Sequence, residues 1–309
     1  TYVSGYRHRI YVMNSDGTNK RLLTRPTVVS YMAFENYTNP VWSPDGSKIA
    51  FTSNLDGQYR LYVMNANGTN MTRLSTGPNA GKPSWSPDGT KLVFSDQPDG
   101  VSSIMRINVG GTGETAISNS GDFDPVWSPD GAHIAFGSFR DDFNVEIYEM
   151  DPDGANQIRL TSYPSDDVNP VWSPDSSKIL FVRNVGFTDR EIFVMDANGD
   201  NQINLTNSAL DDYDPAWSPD GTRIAFASDR SYGIYSMGVG GSNQTKISSI
   251  GVKPVWQPSG TGVPAPPQTY SITAHVADRD GNAYSDITVL LCGTETARAT
   301  TDGNGNFEF

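Results

Sequence analysis

Asn39-Pro40-Val41-Trp42-Ser43-Pro44-Asp45-Gly46, with Lys48-Ile49-Ala50-Phe51 behind it, holds a short strand, a tight turn and the strand that returns from it. Pro44 presets φ for the first central position of the turn, and Gly46 accepts a positive φ that a Cβ would resist. Lys48 to Ser53 then alternates as a half-buried strand does, with Ile49 and Phe51 on one side. The stretch returns as Lys82-Pro83-Ser84-Trp85-Ser86-Pro87-Asp88-Gly89, again around Trp127, Trp172 and Trp217, and in a reduced form around Trp256. All six tryptophans of the chain sit in this motif, at spacings of 43, 42, 45, 45 and 39 residues. A period in the forties with several strands per repeat predicts a β-propeller, one four-stranded blade per repeat. Each Trp is then expected to pack in the seam between neighbouring blades.

A second cassette follows each copy and supplies the third strand. It reads Ile10-Tyr11-Val12-Met13, Leu61-Tyr62-Val63-Met64, Ile104-Met105-Arg106-Ile107, Ile147-Tyr148-Glu149-Met150, Ile192-Phe193-Val194-Met195 and Ile234-Tyr235-Ser236-Met237. Asn-Gly or Asp-Gly turns such as Asn67-Gly68 and Asp153-Gly154 come next, the strongest short hairpin signals there are. Outer strands then read Arg73-Leu74-Ser75, Arg159-Leu160-Thr161 and Asn204-Leu205-Thr206. The two ends of the array are complementary. Residues 1–24 offer the last three strands of a blade, and Pro254-Val255-Trp256-Gln257 offers an inner strand with no Ile-Ala-Phe strand after it. The expectation is an all-β, six-bladed propeller over residues 1–257, closed by pairing the two ends so that no sheet edge stays open.

Residues 258–268 form a Pro/Gly linker of the stiffer kind. Beyond it, residues 269–309 alternate in period two and read as a different, smaller β unit, a partial β-sandwich. Its apolar residues Ile272, Val276, Val289, Leu291 and Phe307 need a cover, because a sheet of so few strands is marginal alone. Strand addition from a second copy would supply that cover and, repeated head to tail, would give a filament.

The pattern Pro-x-Trp-Ser-Pro-Asp-Gly-x-x-Ile-Ala-Phe, then Ile-Tyr-x-Met, then Leu-Thr, resembles the TolB-type propeller repeat over residues 1–257. That resemblance implies a six-bladed propeller outside the cytoplasm, serving as a protein-binding platform or as the accessory domain of an enzyme. Residues 270–309, through Val276-Ala277-Asp278-Arg279-Asp280-Gly281-Asn282 and Thr301-Asp302-Gly303-Asn304-Gly305-Asn306-Phe307, resemble the first half of a carboxypeptidase-regulatory-like sandwich. The TolB protein carries a further N-terminal α/β domain, which this sequence does not show, so its role is not carried over.

Composition narrows the partners. The 309 residues carry a formal net charge of −13, which disfavours nucleic acid and favours cations or basic proteins. The single Cys292 excludes an internal disulfide, and no apolar run is long enough to span a membrane. The chain opens at Thr1 with no Met and no apolar leader, which reads as a processed or trimmed chain. With its Asn, Ser, Thr, Gly and Tyr content, this places the protein outside the cytoplasm, extracellular or periplasmic.

Candidate site residues come from the loops opposite the Ser-Pro-Asp-Gly turns: Asp122, Asp124, Asp141, Asp142, Asp166, Asp167, Asp211, Asp212 and Asp214. Rings of carboxylates at a propeller channel suit Ca²⁺ or a basic peptide. The competing reading is a solvated face of Asx turns. Phe123, Phe143, Tyr163, Tyr213 and Tyr232 lie among the acids, and Arg140, Arg183, Arg190 and Arg230 are placed to neutralise part of the charge. Catalysis finds no support. The three histidines, His8, His133 and His275, are far apart, and no Gly-x-Ser-x-Gly elbow occurs. The expected function is therefore a non-enzymatic binding or assembly protein that self-associates through residues 269–309. The alternative is the accessory propeller of a longer secreted enzyme such as a peptidase.

Overall fold

A computed structural model describes residues 10–12, 21–24, 36–97, 100–118, 121–141, 143–186, 189–248 and 254, with strands at 269–277, 283–292, 300–301 and 307–308. Two short strands come first, β1 (Tyr11–Val12) and β2 (Arg21–Leu22). Five four-stranded antiparallel sheets follow in chain order. They are β3 (Tyr37–Trp42) to β6 (Thr72–Arg73), with β4 (Lys48–Ser53) and β5 (Arg60–Asn65) between; β7 (Ser84–Trp85), β8 (Lys91–Asp96), β9 (Ser103–Asn108) and β10 (Thr115–Ala116); β11 (Asp122–Trp127), β12 (Ile134–Ser138), β13 (Glu146–Met150) and β14 (Ile158–Arg159); β15 (Asp167–Trp172), β16 (Lys178–Asn184), β17 (Arg190–Asp196) and β18 (Ile203–Asn204); and β19 (Asp212–Trp217), β20 (Arg223–Ser228), β21 (Gly233–Gly238) and β22 (Thr245–Ser248). No helix occurs among the described residues.

The six-blade expectation is corrected to five complete blades among the described residues. Of the expected sixth blade only the outer pair β1–β2 is described, because its inner strand and its second strand were expected from residues 252–257 and 1–9. The β1–β2 pair keeps the register of a blade's outer half: Leu23 N–H donates to Ile10 O at 2.9 Å, as Leu74 does to Leu61 O at 2.8 Å. Residues 1–9 and the expected closing strand at 252–257, apart from Pro254, lie outside the described residues.

The second strand of each blade is buried on both faces, not half-buried, because it is sandwiched between neighbours. Ile49 and Phe51 of β4 pack with Ile10, Leu23 and Tyr37, whereas Ala50 between them packs with Trp85, Leu92 and Phe94 of the next blade. Ile134 and Phe136 likewise join Val93 and Ile104 behind them, and Ala135 joins Trp172 and Phe181 ahead. Strand alternation thus feeds two seams at once. Trp85, Trp127, Trp172 and Trp217 are buried in these seams as expected, and Trp42 is half-buried. The indoles of Trp85 and Trp172 each donate at 3.2 Å to a carbonyl of the preceding blade's inner strand, Val41 O and Val126 O.

The Ser-Pro-Asp-Gly turns are self-contained. Ser43 Oγ donates to Asp45 Oδ1 at 2.6 Å, Ser47 N–H donates to the same oxygen at 3.0 Å, and Lys48 N–H donates to Ser43 Oγ at 2.9 Å. The glycine after the third strand has a second duty. A Cβ on Gly154, at φ 92°, would lie 2.3 Å from Ile117 O of the preceding blade.

At the far end, β23 (Thr269–Ala277) pairs with β24 (Ala283–Cys292), and β25 (Thr300–Thr301) with β26 (Phe307–Glu308). Ile272 is in register with Val289, and Tyr270 with Leu291. Val276 lies in β23 and Phe307 in β26. These are two separate ladders, and a packed sandwich is not shown. The linker at 258–268 lies outside the described residues.

Candidate partner-binding face

Blades three to five place an acid five residues before the Trp: Asp122, Asp167 and Asp212, each the first residue of its inner strand and each fully buried. Burial of a carboxylate demands a partner, and each has an arginine. Arg183 holds Asp167 in a fork, Nε to Oδ1 and Nη2 to Oδ2, both at 2.7 Å. Arg140 reaches Asp122 at 2.7 Å, and Arg230 reaches Asp212 at 2.5 Å. The arginines lie over aromatic rings: Arg183 is 4.2 Å from the Tyr163 centroid and 4.7 Å from that of Phe193, and Arg140 is 4.8 Å from that of Tyr148. Burial pushes the carboxyls of Asp167 and Asp212 up, and the guanidinium in contact with each pulls the other way.

Three of the nine expected site acids are therefore internal struts, not groups offered to a ligand. Two more cap loops. Asp166 Oδ1 accepts the Val145 N–H at 2.8 Å, and Asp211 accepts the Arg190 N–H at 3.0 Å while its other oxygen meets Arg190 Nη2 at 2.6 Å. Asp141 is exposed and accepts the Tyr148 hydroxyl. Asp142 lies outside the described residues.

Asp124 and Asp214 remain, and they share a conformation. Both precede a proline inside a β-bulge of the inner strand, at φ 49° and 50°, and Asn39 and Asn169 hold the same place in their blades at φ 52° and 55°. Left-handed backbone is tolerated best by Asn and Asp among residues with a Cβ. Successive inner strands neighbour one another, so Asp124, Asn169 and Asp214 follow one another along adjacent blades, with Asn39 at the matching place two blades before Asp124. In the second blade the place falls to Lys82, its inner strand shrinks to Ser84–Trp85, and a loop containing Gly77 wraps the buried Asp96 instead.

On the same face, Phe139 is 53% exposed, Phe143 wholly exposed and Tyr163 40% exposed, and Phe139 packs against Phe123 with centroids 5.5 Å apart. Neither Tyr213 nor Tyr232 joins this exposed group: Tyr213 lies under Arg190, 4.5 Å from its centroid, and Tyr232 is half-buried with φ 47°. Among the described residues no group of three or more His, Cys, Asp or Glu is placed to hold a metal ion, and no helix is long and apolar enough to cross a membrane. The sequence set these arginines near the acids, but the burial of Asp122, Asp167 and Asp212 and the individual pairs, between residues 16 to 18 apart, follow only from the strand pairing.

Residues 3–122 match the TolB beta propeller domain family. The solved structure of a putative TolB from Agrobacterium tumefaciens superposes with a TM-score of 0.66 at 25% identity, over 78% of this chain and 88% of that one. The propeller is TolB-like. TolB from Acinetobacter baumannii matches at 22% identity and a TM-score of 0.66, over 80% of this chain and 61% of that one. A prolyl endopeptidase structure shares the fold at 12% identity and a TM-score of 0.59, over 97% of this chain and 50% of that one. The propeller fold therefore also occurs in an enzyme chain.

Proposed function

We propose that this TolB-like propeller is a non-enzymatic binding scaffold that works outside the cytoplasm, extracellular or periplasmic, and receives a basic protein partner at its channel face. The observation that carries the reading is the exposed Phe139, Phe143 and Tyr163 beside Asp141 and the Asp124 and Asp214 positions of the inner strands. Exposed aromatics with flanking charge are the composition of protein-binding centres. The net charge of −13 selects a basic partner. Calorimetric titration with a lysine-rich twelve-residue peptide tests it. Combining Phe143→Ala, Asp124→Asn and Asp214→Asn should weaken binding about tenfold, while Asp153→Asn on the opposite face leaves it unchanged. Equal binding by all three proteins would overturn the reading.

Two further readings rest on particular observations. The β23–β24 ladder pairs with no third strand among the described residues, which favours strand pairing between copies through residues 269–309. Sedimentation of the full chain should then be faster and concentration-dependent, and that of a chain ending at Gln257 should not. The match over half of a prolyl endopeptidase chain favours an accessory domain of a longer enzyme, for which the intact mass of the protein from its source is decisive.

A further inference from the structure

The third strands of the third and fourth blades each bury a glutamate at the same place, one residue before Ile147 and Ile192. Glu146 is 1% exposed and Glu191 2%. Both are bonded alike to the far end of their own blade. Thr161 donates its hydroxyl to Glu146 Oε2 at 2.6 Å, and Tyr163 donates its N–H to Oε1 at 2.9 Å. Thr206 donates its hydroxyl to Glu191 Oε2, and Ser208 donates its N–H to Oε1 at 2.5 Å. Each glutamate thereby holds the start of the loop that leads to the next blade.

Charge sets the two apart. Glu146 has a cation and an amide: Arg159 Nη2 donates to Oε1 at 3.0 Å, and Asn144 Nδ2 donates to the same oxygen at 2.9 Å. In the fourth blade Asn204 takes the place of Arg159, opposite Phe193 as Arg159 is opposite Tyr148. Asp189 takes the place of Asn144, two residues before the glutamate. The fourth blade thus loses the cation and gains an acid, and Asp189 Oδ1 is buried with no hydrogen-bond partner among the described residues. The cations around it are engaged. Arg183, the cross-strand neighbour of Glu191, is forked on Asp167, and Arg190 pairs with Asp211. Arg230 pairs with Asp212, the buried acid that leads the next blade. Burial pushes the Glu191 carboxyl up; the bonds from Thr206 and Ser208 pull it down, and the charges of Asp212 and Asp189 add to the rise. A buried carboxyl short of a cation keeps its proton more readily than one in water.

We propose that Glu191 is a proton-operated latch on the loop of residues 207–211, closed while the carboxyl keeps its proton and released when rising pH removes it. Opening the loop lets water reach Glu191 and returns the carboxyl to its ordinary range. Above that range, about pH 4.3, the open form binds fewer protons than the closed one, so rising pH favours opening. The hold is complete below the ordinary value and is lost as pH rises through the raised one. The loop carries Leu210, 49% exposed, next to Asp211 and Asp212 on the channel face. Proton concentration therefore sets how firmly that part of the face is presented, whether or not a partner binds there.

Amide hydrogen exchange of Ser208 in the full-length protein tests the latch, with Tyr163 of the third blade as internal reference. Between about pH 5 and pH 8, the protection factor of Ser208 should fall at least about threefold relative to that of Tyr163. Glu191→Gln, which has no carboxyl proton to lose, should flatten that ratio. Asn204→Arg, which copies Arg159, should flatten it too. In Asn204→Arg the Glu191 carboxyl carbon should also titrate at lower pH than in the parent. Protection of the Ile104 and Ile147 amides reports whether each variant is folded; if Glu191→Gln is not, the parent and Asn204→Arg measurements decide alone. A constant Ser208-to-Tyr163 ratio in the parent would overturn the latch, as would an undiminished pH dependence in folded Glu191→Gln. A Glu191 carbon titrating no higher than an ordinary glutamate would do the same. An equal fall of the ratio in Asn204→Arg would also refute it, because the missing cation would not then be the cause.

Discussion

Thr161 is a single hydroxyl on which two buried groups depend. It accepts the Ile147 N–H at 2.9 Å and donates to Glu146 Oε2 at 2.6 Å. Thr24, Ser75, Ser118 and Thr206 accept the matching N–H of Ile10, Leu61, Ile104 and Ile192 at 2.9–3.0 Å, so the final hydroxyl of the Leu-Thr motif is a repeated backbone cap. Thr161→Val keeps the shape, orphans the Ile147 N–H and removes the hydrogen bond to Glu146 Oε2, at a cost of about 1–3 kcal/mol. Thr161→Ser should recover most of it, and urea unfolding measures both. A second residue-scale expectation concerns acid. Hydrogen bonds from Ser43, Ser86 and Ser173 and from the residues two places on hold Asp45, Asp88 and Asp175 at a pKa of about 2. A carboxyl depressed on folding stabilises the fold above its unfolded pKa of about 3.9 and loses that contribution as pH falls through the folded value. The melting temperature should therefore drop between about pH 4 and pH 2. The Asp45→Asn, Asp88→Asn, Asp175→Asn triple variant should show a shallower drop; an unchanged slope refutes the assignment. All three are exposed, so the effect is modest.

At the scale of the element, the struts tie the start of an inner strand to the end of the next. Arg183 comes from within β16, whereas Arg140 and Arg230 come from loops two residues past their strands, yet all three reach the same strand-leading acid. Arg183→Ala leaves Asp167 buried and unpaired and should cost about 3–5 kcal/mol. Adding Asp167→Ala should restore part of that loss, and a double-mutant cycle by denaturant unfolding reads the coupling. This is also where the limits of the sequence are plainest. Strand order, turn type and the Trp seams follow from local periodicity around Trp42, Trp85 and their copies, because turns and alternation are local chemistry. Asp122, Asp167 and Asp212 look like loop acids until a guanidinium arrives from another strand. The left-handed Asp124 and Asp214 need the bulge to be seen.

For the molecule as a whole, stability is distributed over seams, each sharing residues with two blades. Trp85 and Trp217 serve seams with no common residue. Replacing either by Ala should cost about 3–5 kcal/mol, and the two losses should add to within about 0.5 kcal/mol. A large departure from additivity in urea melts would mean that the ring responds as one core. The blade count was the least legible property at this scale. Six tryptophan motifs announce six units, but a motif marks an inner strand alone, and the strands expected to complete the sixth come from the other end of the chain.

The split loyalty of the second strand, with Ile49 and Phe51 serving one neighbour and Ala50 the other, has a bearing on how such an array can change over generations. What two adjacent units must agree on is a pair of facing surfaces, bulky on one side and small on the other, and each tandem copy brings both. A duplication or loss of one forty-odd-residue period hands the junction the same bulky-against-small match it had before. Lineages can therefore alter the number of copies in a single genetic step, and the seam least like its siblings is the one where such a step has most freedom to leave a new specificity behind.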